Sequence, residues 1–382
     1  MKAVWRYIHA ARNSYATLYA ACETSGFILE PVDAPEGDVV CYSLNSVEFP
    51  RYKEEIAAAD QITIAGGPHA SAAWEEVAEI ADYVVVGEGE RTLPRLLSAL
   101  AAGMSGAAAA KQSLAQLSKS EGLAAIPGVA TRSHGLNPID HSVRLDAFPC
   151  FTRMKGYMEI SRGCPFHCGY CQTPRLHGTK MRHRSREAIV EAAGRYRDAR
   201  FVTPNAFAYG SADGKTPDVG KLERLLSSMP ENNLYFGTFP CEVRPEFVTQ
   251  ETADLVVRYC ANTRLHFGAQ SGSDAVLTRM GRGHTLADVY SALDICRTAG
   301  LEPVVDVIFG FPFETDEDEE ATLALVRDVV RTGKVHVHYL TPLPGTPFAG
   351  VVPRNVIPAV DKALGKLALG GRVTGAWHSK FG

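Results

Sequence analysis

"ISRGCPFHCGYCQTP", residues 160–174, sets Cys164, Cys168 and Cys171 within eight positions in a C-x3-C-x2-C spacing. Residues 157–161 read as a strand, so the cysteine loop leaves the strand's carboxyl end. Further strands are expected near 201–203, 234–238, 264–268, 303–309 and 335–340. Amphipathic stretches such as "REAIVEAAGRYRDA" and "TLADVYSALDICRTAG" separate them as helices. Six β/α units over 151–348 suit a partial (β/α)6 TIM-like barrel, whose chemistry sits on loops at the carboxyl ends of the strands. The cysteine loop lies on that side.

The first part of the chain alternates in the same way. Strands are expected near 2–8, 27–32, 38–43, 61–65 and 82–86, with helices near 14–25, 50–59, 71–80 and 91–101. Short strands separated by helices imply a Rossmann-like, doubly wound parallel sheet over 1–102. Ligands of such sheets bind beyond the carboxyl ends of the strands. Two glycine turns sit there, "AGGPHAS" (65–71) and "VGEGERT" (86–92). Residues 99–125, rich in Ala, Ser and Gly, read as a helical connector. "IPGVATRSHGLNPID" reads as a short hairpin or strap, which completes a linker over 103–150. Residues 349–382 form a carboxyl-terminal extension with one helix at 357–369. The fold class is α/β throughout.

The 382-residue chain carries a net charge of −4 and 46% hydrophobic residues. That charge offers no basic footprint for nucleic acid. No apolar run approaches the ~20 residues of a membrane span, and the start lacks the apolar core of a signal peptide. Nine cysteines, three of them clustered, point to metal chemistry in a reducing, cytoplasmic setting. Cys22, Cys41, Cys241, Cys260 and Cys296 read as small buried hydrophobes.

A cubane iron–sulfur cluster usually takes four thiolates. Three would leave one iron open to a small-molecule ligand. A zinc site, or a closed cluster with Cys150 as fourth ligand, is the alternative reading, although zinc sites usually present paired knuckles. "CPFHCGYC" resembles the signature of the radical SAM superfamily, and the resemblance runs over about 155–348. It implies a [4Fe-4S] cluster on Cys164, Cys168 and Cys171, with S-adenosylmethionine on the open iron. Tyr170 would then pack beside the adenine. "FGAQSGSDAVLTRMGRGHT" (267–285) nominates Gln270, Ser271 and Ser273 for the methionyl and ribose portions. "DVIFGFPFETDED" (306–318) places Ile308 and Gly310 near the adenine, with Phe313 where the family pattern has a glycine. Glu242 and Arg244 in "TFPCEVRPEF" would face the ligand, and an Arg there can pair with its carboxylate. The acidic run "ETDEDEE" reads as a solvated helix start.

The stretch around "GGPH" resembles the cobalamin-binding domain that precedes many radical SAM enzymes. In that resemblance Gly66, Gly67, Pro68 and His69, with Gly87, Glu88 and Glu90, form the turns against the corrin. Gly66 and Gly67 allow close backbone approach, and Ser71 is expected to cap the next helix. Ser43 and Asn45 would bond the nucleotide tail. Many corrinoid proteins place a cobalt ligand in D-x-H-x-x-G. The matching stretch here, "YIHAAR" (7–12), lacks the Asp and Gly, so His9 reads as a packed or surface residue.

Together these resemblances imply a cobalamin-dependent radical SAM C-methyltransferase that uses methylcobalamin, S-adenosylmethionine and an external electron donor. Tyr209 and Asn205 in "TPNAFAYGS" are candidates for the substrate side. The expected substrate is a peptide or protein. The overall pattern resembles archaeal enzymes that methylate the α-carbon of a glutamine in the methyl-coenzyme M reductase α subunit. A cobalamin-dependent cyclase or rearrangement enzyme, and a non-catalytic corrinoid or electron carrier, are the alternatives. Methylthiotransferases add a second cluster on three amino-terminal cysteines, whereas here only Cys22 and Cys41 precede the linker.

Overall fold

The computed structural model describes residues 1–103 and 126–378. The expected connector helix falls largely on 104–125, outside the described residues. The chain divides into two units, Met1–Tyr157 with Arg175–His177, and Met158–Pro174 with Gly178–Gly382.

The first unit is one sheet. Strands β1 (Ala3–Arg6), β2 (Glu30–Val32), β3 (Val39–Ser43), β4 (Ile62–Gly66) and β5 (Tyr83–Val85) are parallel in the order β2-β1-β3-β4-β5. A hairpin of β6 (Val129–Thr131) and β7 (Gly135–Leu136) extends it antiparallel, so the expected strap belongs to this sheet. Side chains on a strand alternate between faces. Trp5, Cys41, Ile64, Tyr83 and Val85 pack on one face, beneath the helices Arg12–Glu23 and Gly89–Gly103. Val4, Val40, Tyr42, Ala65 and Val84 pack on the other, against Phe49–Ala58 and Trp74–Ala78. Apolar residues on both faces are what a doubly wound sheet requires. The strand order changes direction between β1 and β3, which makes that the switch point.

The helix expected at 71–80 is instead two short ones, Gly67–Ala72 and Trp74–Ala78. Pro68 in the first turn starts the earlier helix at Gly67, so Ser71 is no N-cap. Its Oγ accepts from the Gly87 N–H at 3.0 Å and ties the β4 turn to the β5 turn.

In the second unit the expected first strand splits. β8 (Met158–Glu159) pairs in parallel with β11 (Asp198–Val202), while β9 (Ser161–Arg162) pairs antiparallel with β10 (Arg182–His183). β12 (Asn233–Tyr235) joins β11, and β13 (Arg264–Gln270), β14 (Glu302–Phe309) and β15 (Lys334–Tyr339) follow in order. A parallel bridge from Val243 to Phe267 spans the step from the β12 loop to β13. Helices return between the strands. Three of them, starting at Gln250, Leu286 and Asp316, are held by Thr capping boxes. In the acidic run Asp318 completes such a box, while Glu319 is buried and accepts from the Ile357 N–H at 2.9 Å. The tail adds β16 (Val373–Gly375), parallel to β15, and therefore belongs to this sheet. Among the described residues no helix is long and apolar enough to cross a membrane.

Candidate functional site

The β9–β10 pair closes the base of the loop that carries the three cysteines. Gly163 is left-handed (φ 86°), and a Cβ there would lie 2.4 Å from the Lys180 carbonyl oxygen. Only glycine fits. The Cys164 N–H donates to the Gly178 carbonyl at 3.1 Å. At the far side Gly169 donates to the Met280 carbonyl at 2.8 Å, beneath the Phe348 ring. Gln172 donates to the Pro344 carbonyl at 2.9 Å. The loop is thus held by backbone bonds to three other segments. Cys168 is buried, while Cys164 and Cys171 are half-buried, and burial pushes the Cys164 thiol up.

Two arginines converge on Cys168. Arg282 Nη1 lies 3.8 Å and Arg244 Nη1 4.0 Å from its Sγ. Arg244 also stacks on Phe166, 3.5 Å from the ring centroid, pairs with Glu246 at 2.5 Å and donates to the Arg282 carbonyl. Arg282 donates to the Gly268 carbonyl at 2.9 Å. His284 donates through Nε2 to the Ala269 carbonyl, 3.0 Å away, because a carbonyl can only accept. Burial, then Arg282 and Arg244, push that imidazole down to about 2, so it is neutral. Two buried guanidinium groups thus share the paired carboxylate of Glu246, with Glu242 also within reach of Arg282, and their positive charge lies against a cysteine sulfur. Buried charge of one sign calls for its opposite. A thiolate-bound anionic centre fits this loop.

Among the described residues no three His, Cys, Asp or Glu side chains converge on a single-ion position. A tetrahedral zinc ion needs such convergence. A cubane spreads its thiolates over separate corners of a cluster and does not. Cys150 is buried and belongs to the first unit.

The other barrel residues singled out in the sequence fall at the carboxyl ends of the same strands. Gln270 has φ 71°, the one non-glycine in the left-handed region among the described residues, and follows a register shift after Gly268. Such strain, on the order of 1–3 kcal/mol, gathers at functional sites. Ser271 bonds Thr322 at 3.1 Å, and Ser273 caps the next helix and donates to Asp318 at 2.5 Å. Both serines hold the turn. Gly310 (φ 96°) packs under the Tyr339 ring. Its N–H and that of Phe311 donate to Glu314, whose carboxyl burial pushes up to about 8. Tyr170 and Ile308 line an apolar wall with Phe311, Phe313 and Phe348. Phe313 stacks there on Phe311, 5.4 Å between centroids. Tyr209 donates to the Arg184 carbonyl at 3.0 Å. Asn205 Oδ1 accepts from the Arg244 N–H, and its buried Nδ2 has no partner.

Glu242 lies against Asp306, and Arg282 also acts on its carboxyl. Burial first, then Asp306, with which it shares a hydrogen bond, push it up to about 8. Asp306, Arg282, Glu246 and His284 were missed as site residues. Asp306 had a readable signal, a lone charge inside "VVDVIF". Arg282 and His284 lay unremarked in "GRGHT".

In the first unit the turns after β3, β4 and β5 share one end of the sheet. Gly67 has φ 94°, and its missing Cβ makes room first for Leu44 and Ser43, 2.7–2.8 Å from where that atom would sit. The space read as an approach for a ligand is thus filled at Gly67 by the end of β3. Gly66 meets only ordinary contacts. Asn45 Oδ1 accepts from the N–H groups of Val47 and Glu48 at 2.9 Å and shapes the turn into the next helix. His69, one residue past Pro68, stacks on Phe49 at 4.2 Å and bonds Ser46 through Nδ1 at 3.1 Å. Its buried Nε2 has no hydrogen-bond partner, and Glu76 lies 3.7 Å away. Gly87 is left-handed, Glu88 and Glu90 are buried, and Glu88 lies 3.8 Å from His177. An unsatisfied ring nitrogen at the ligand end of the sheet fits a polar cofactor there. His9 is exposed.

The Radical SAM superfamily model matches residues 158–326, and a model described as Radical SAM proteins, N-terminal, matches 38–127. The chain is 32% identical over 224 residues to tRNA-2-methylthio-N(6)-dimethylallyladenosine synthase of Geobacter sulfurreducens, covering 56% of this chain and 49% of that protein. It is 30% identical over 219 residues to threonylcarbamoyladenosine tRNA methylthiotransferase MtaB of Thermotoga maritima, covering 53% and 48%. The chain spans about half the length of these curated relatives. Among solved structures it resembles the radical S-adenosylmethionine methyltransferase TsrM of Kitasatospora setae with cobalamin and a [4Fe-4S] cluster bound. That likeness has TM-score 0.67 at 18% identity, over 91% of this chain and 74% of that one. It also resembles the cobalamin-dependent S-adenosylmethionine radical enzyme OxsB, with TM-score 0.59 at 16% identity over 96% and 55%. The three-cysteine loop, the parallel β/α strands behind it and the family match agree: residues 158–326 of this chain are a radical SAM domain.

Proposed function

We propose that this chain is a cobalamin-dependent radical SAM C-methyltransferase that methylates an sp3 carbon of a peptide or protein. The carrying observation is the three-thiol loop, pinned at Gly163 and Gly169 with two guanidinium groups at Cys168. When bound, the cluster with S-adenosylmethionine supplies a carbon radical, and the corrinoid supplies the methyl group. The chain's own residues bind, orient and exclude water. Cys164, Cys168 and Cys171 would hold three irons. The wall of Tyr170, Ile308 and Phe311 would shield the adenosyl portion. The turns at Ser43–Asn45, Gly66–His69 and Gly87–Glu90 would hold the corrinoid, a reading supported by the β2-β1-β3-β4-β5 order and the unsatisfied His69 nitrogen. Hydrogen abstraction needs no general base, so Tyr209 and Asn205 would serve to position the substrate. The donor of electrons is external.

The curated relatives favour a second reading, methylthio transfer to tRNA. Cys22 and Cys41 speak against it, because both are fully buried in the first unit's core. Burial pushes Cys41 up to about 12 and Cys22 further. Neither is placed as a cluster ligand.

Anaerobic reconstitution with methyl-labelled S-adenosylmethionine tests the proposal. The glutamine-bearing peptide of the methyl-coenzyme M reductase α subunit is the first substrate to try. Label on carbon, with both S-adenosylhomocysteine and 5′-deoxyadenosine formed, is the expected result. Sulfur insertion, or cleavage without methyl transfer, would move the chain to another reaction class.

A further inference from the structure

We propose that Arg282 and Arg244 set the reduction potential of the cluster on this loop, as positioning residues that act through Cys168. The inference rests on the iron–sulfur reading and extends it to how readily the centre takes an electron. Hydrogen bonds and buried positive charge at a ligating sulfur favour the more negative, reduced state. Both conditions meet at one of the three sulfurs. The two Nη1 atoms approach Cys168 Sγ at 3.8 and 4.0 Å. Each guanidinium is fixed by other bonds: Arg282 by the Gly268 carbonyl, Arg244 by Glu246 and by its stack on Phe166. Neither can swing out to water, since both side chains are at most 9% exposed. Arg244 is hydrogen-bonded to Glu246, whereas Arg282 feels Glu246 only through space, bonds carbonyl and sulfur acceptors, and has an Nε without a partner. The electrostatic weight therefore falls on Arg282.

The test is EPR-monitored redox titration of the reconstituted full-length chain without S-adenosylmethionine, with iron and sulfide content measured in parallel. The parent is compared with Arg282→Met, Arg282→Lys, Arg244→Met and the surface control Arg279→Ala. In Arg282→Met the ratio of reduced to oxidised cluster at a given potential should fall about tenfold, or about 59 mV for a one-electron couple. Arg244→Met should shift less, Arg282→Lys should recover most of the change, and Arg279→Ala should match the parent. If Arg282→Met takes up no cluster, Arg282→Lys and Arg244→Met still give the ordering. Equal midpoints in variants with full iron content would overturn the inference and leave the cluster reading intact. Failure of the parent to bind iron would instead remove the cluster reading itself.

Discussion

Burial, then Asp306, push the Glu242 carboxyl up to about 8. The native state therefore holds more protons than the unfolded chain between the ordinary carboxylate value near 4.5 and 8. Stability must fall as pH rises through that window. Glu242→Gln keeps a hydrogen-bond donor and removes the titration. The Tm of the parent should drop from pH 5 to 8 more steeply than that of the variant, the difference in stability reaching about a few kcal/mol at the upper end. Parallel Tm curves would place the proton elsewhere. Glu242 was legible as a site residue only in part. The sequence nominated it, like Arg244, to face S-adenosylmethionine, and the fold sets it against Asp306, which lies two strands further along the chain. The same distance hid Arg282, whose contact with Cys168 joins residues 114 apart. Local spacing reveals a thiol set, but it cannot reveal what approaches that set from another strand.

At the scale of elements, the long parallel strands were readable because apolar residues recur on both faces, as in Val39–Ser43 and Glu302–Phe309. Two-residue strands such as β9 and β10 carry no period, and so the arm that closes the cysteine loop was invisible. Its far anchor is testable. A Cβ on Gly169 would lie 2.6 Å from the Phe348 ring. Gly169→Ala should cost about 1–3 kcal/mol by overpacking and reduce iron uptake, read as iron per chain after reconstitution. Iron content equal to the parent's would show that the loop tolerates displacement. The helix expected at 71–80 shows the opposite limit. Most of the stretch is helical, but Pro68 started the helix early and Ala73 broke it.

For the whole molecule, division into two units predicts separable losses. Gly67→Ala forces a left-handed alanine against Leu44, a cost of about 1–2 kcal/mol before the contact is counted. Cobalamin retained after gel filtration should decline in that variant, while iron content and the cluster's EPR signal match the parent. Joint loss of both cofactors would mean the units fold as one. β16 has a consequence of its own. It is a three-residue strand laid on the flank of β15, and Trp377 fastens the segment to Asp361 through a 2.7 Å bond. Very short border strands blunt a sheet's tendency to recruit foreign chains. Trimming the protein before Val373 would uncover the six-residue ladder of Lys334–Tyr339, and the shortened product should multimerise, with light scattering rising as concentration increases. Val373–Gly375 would thus guard the flank of β15 against self-recruitment.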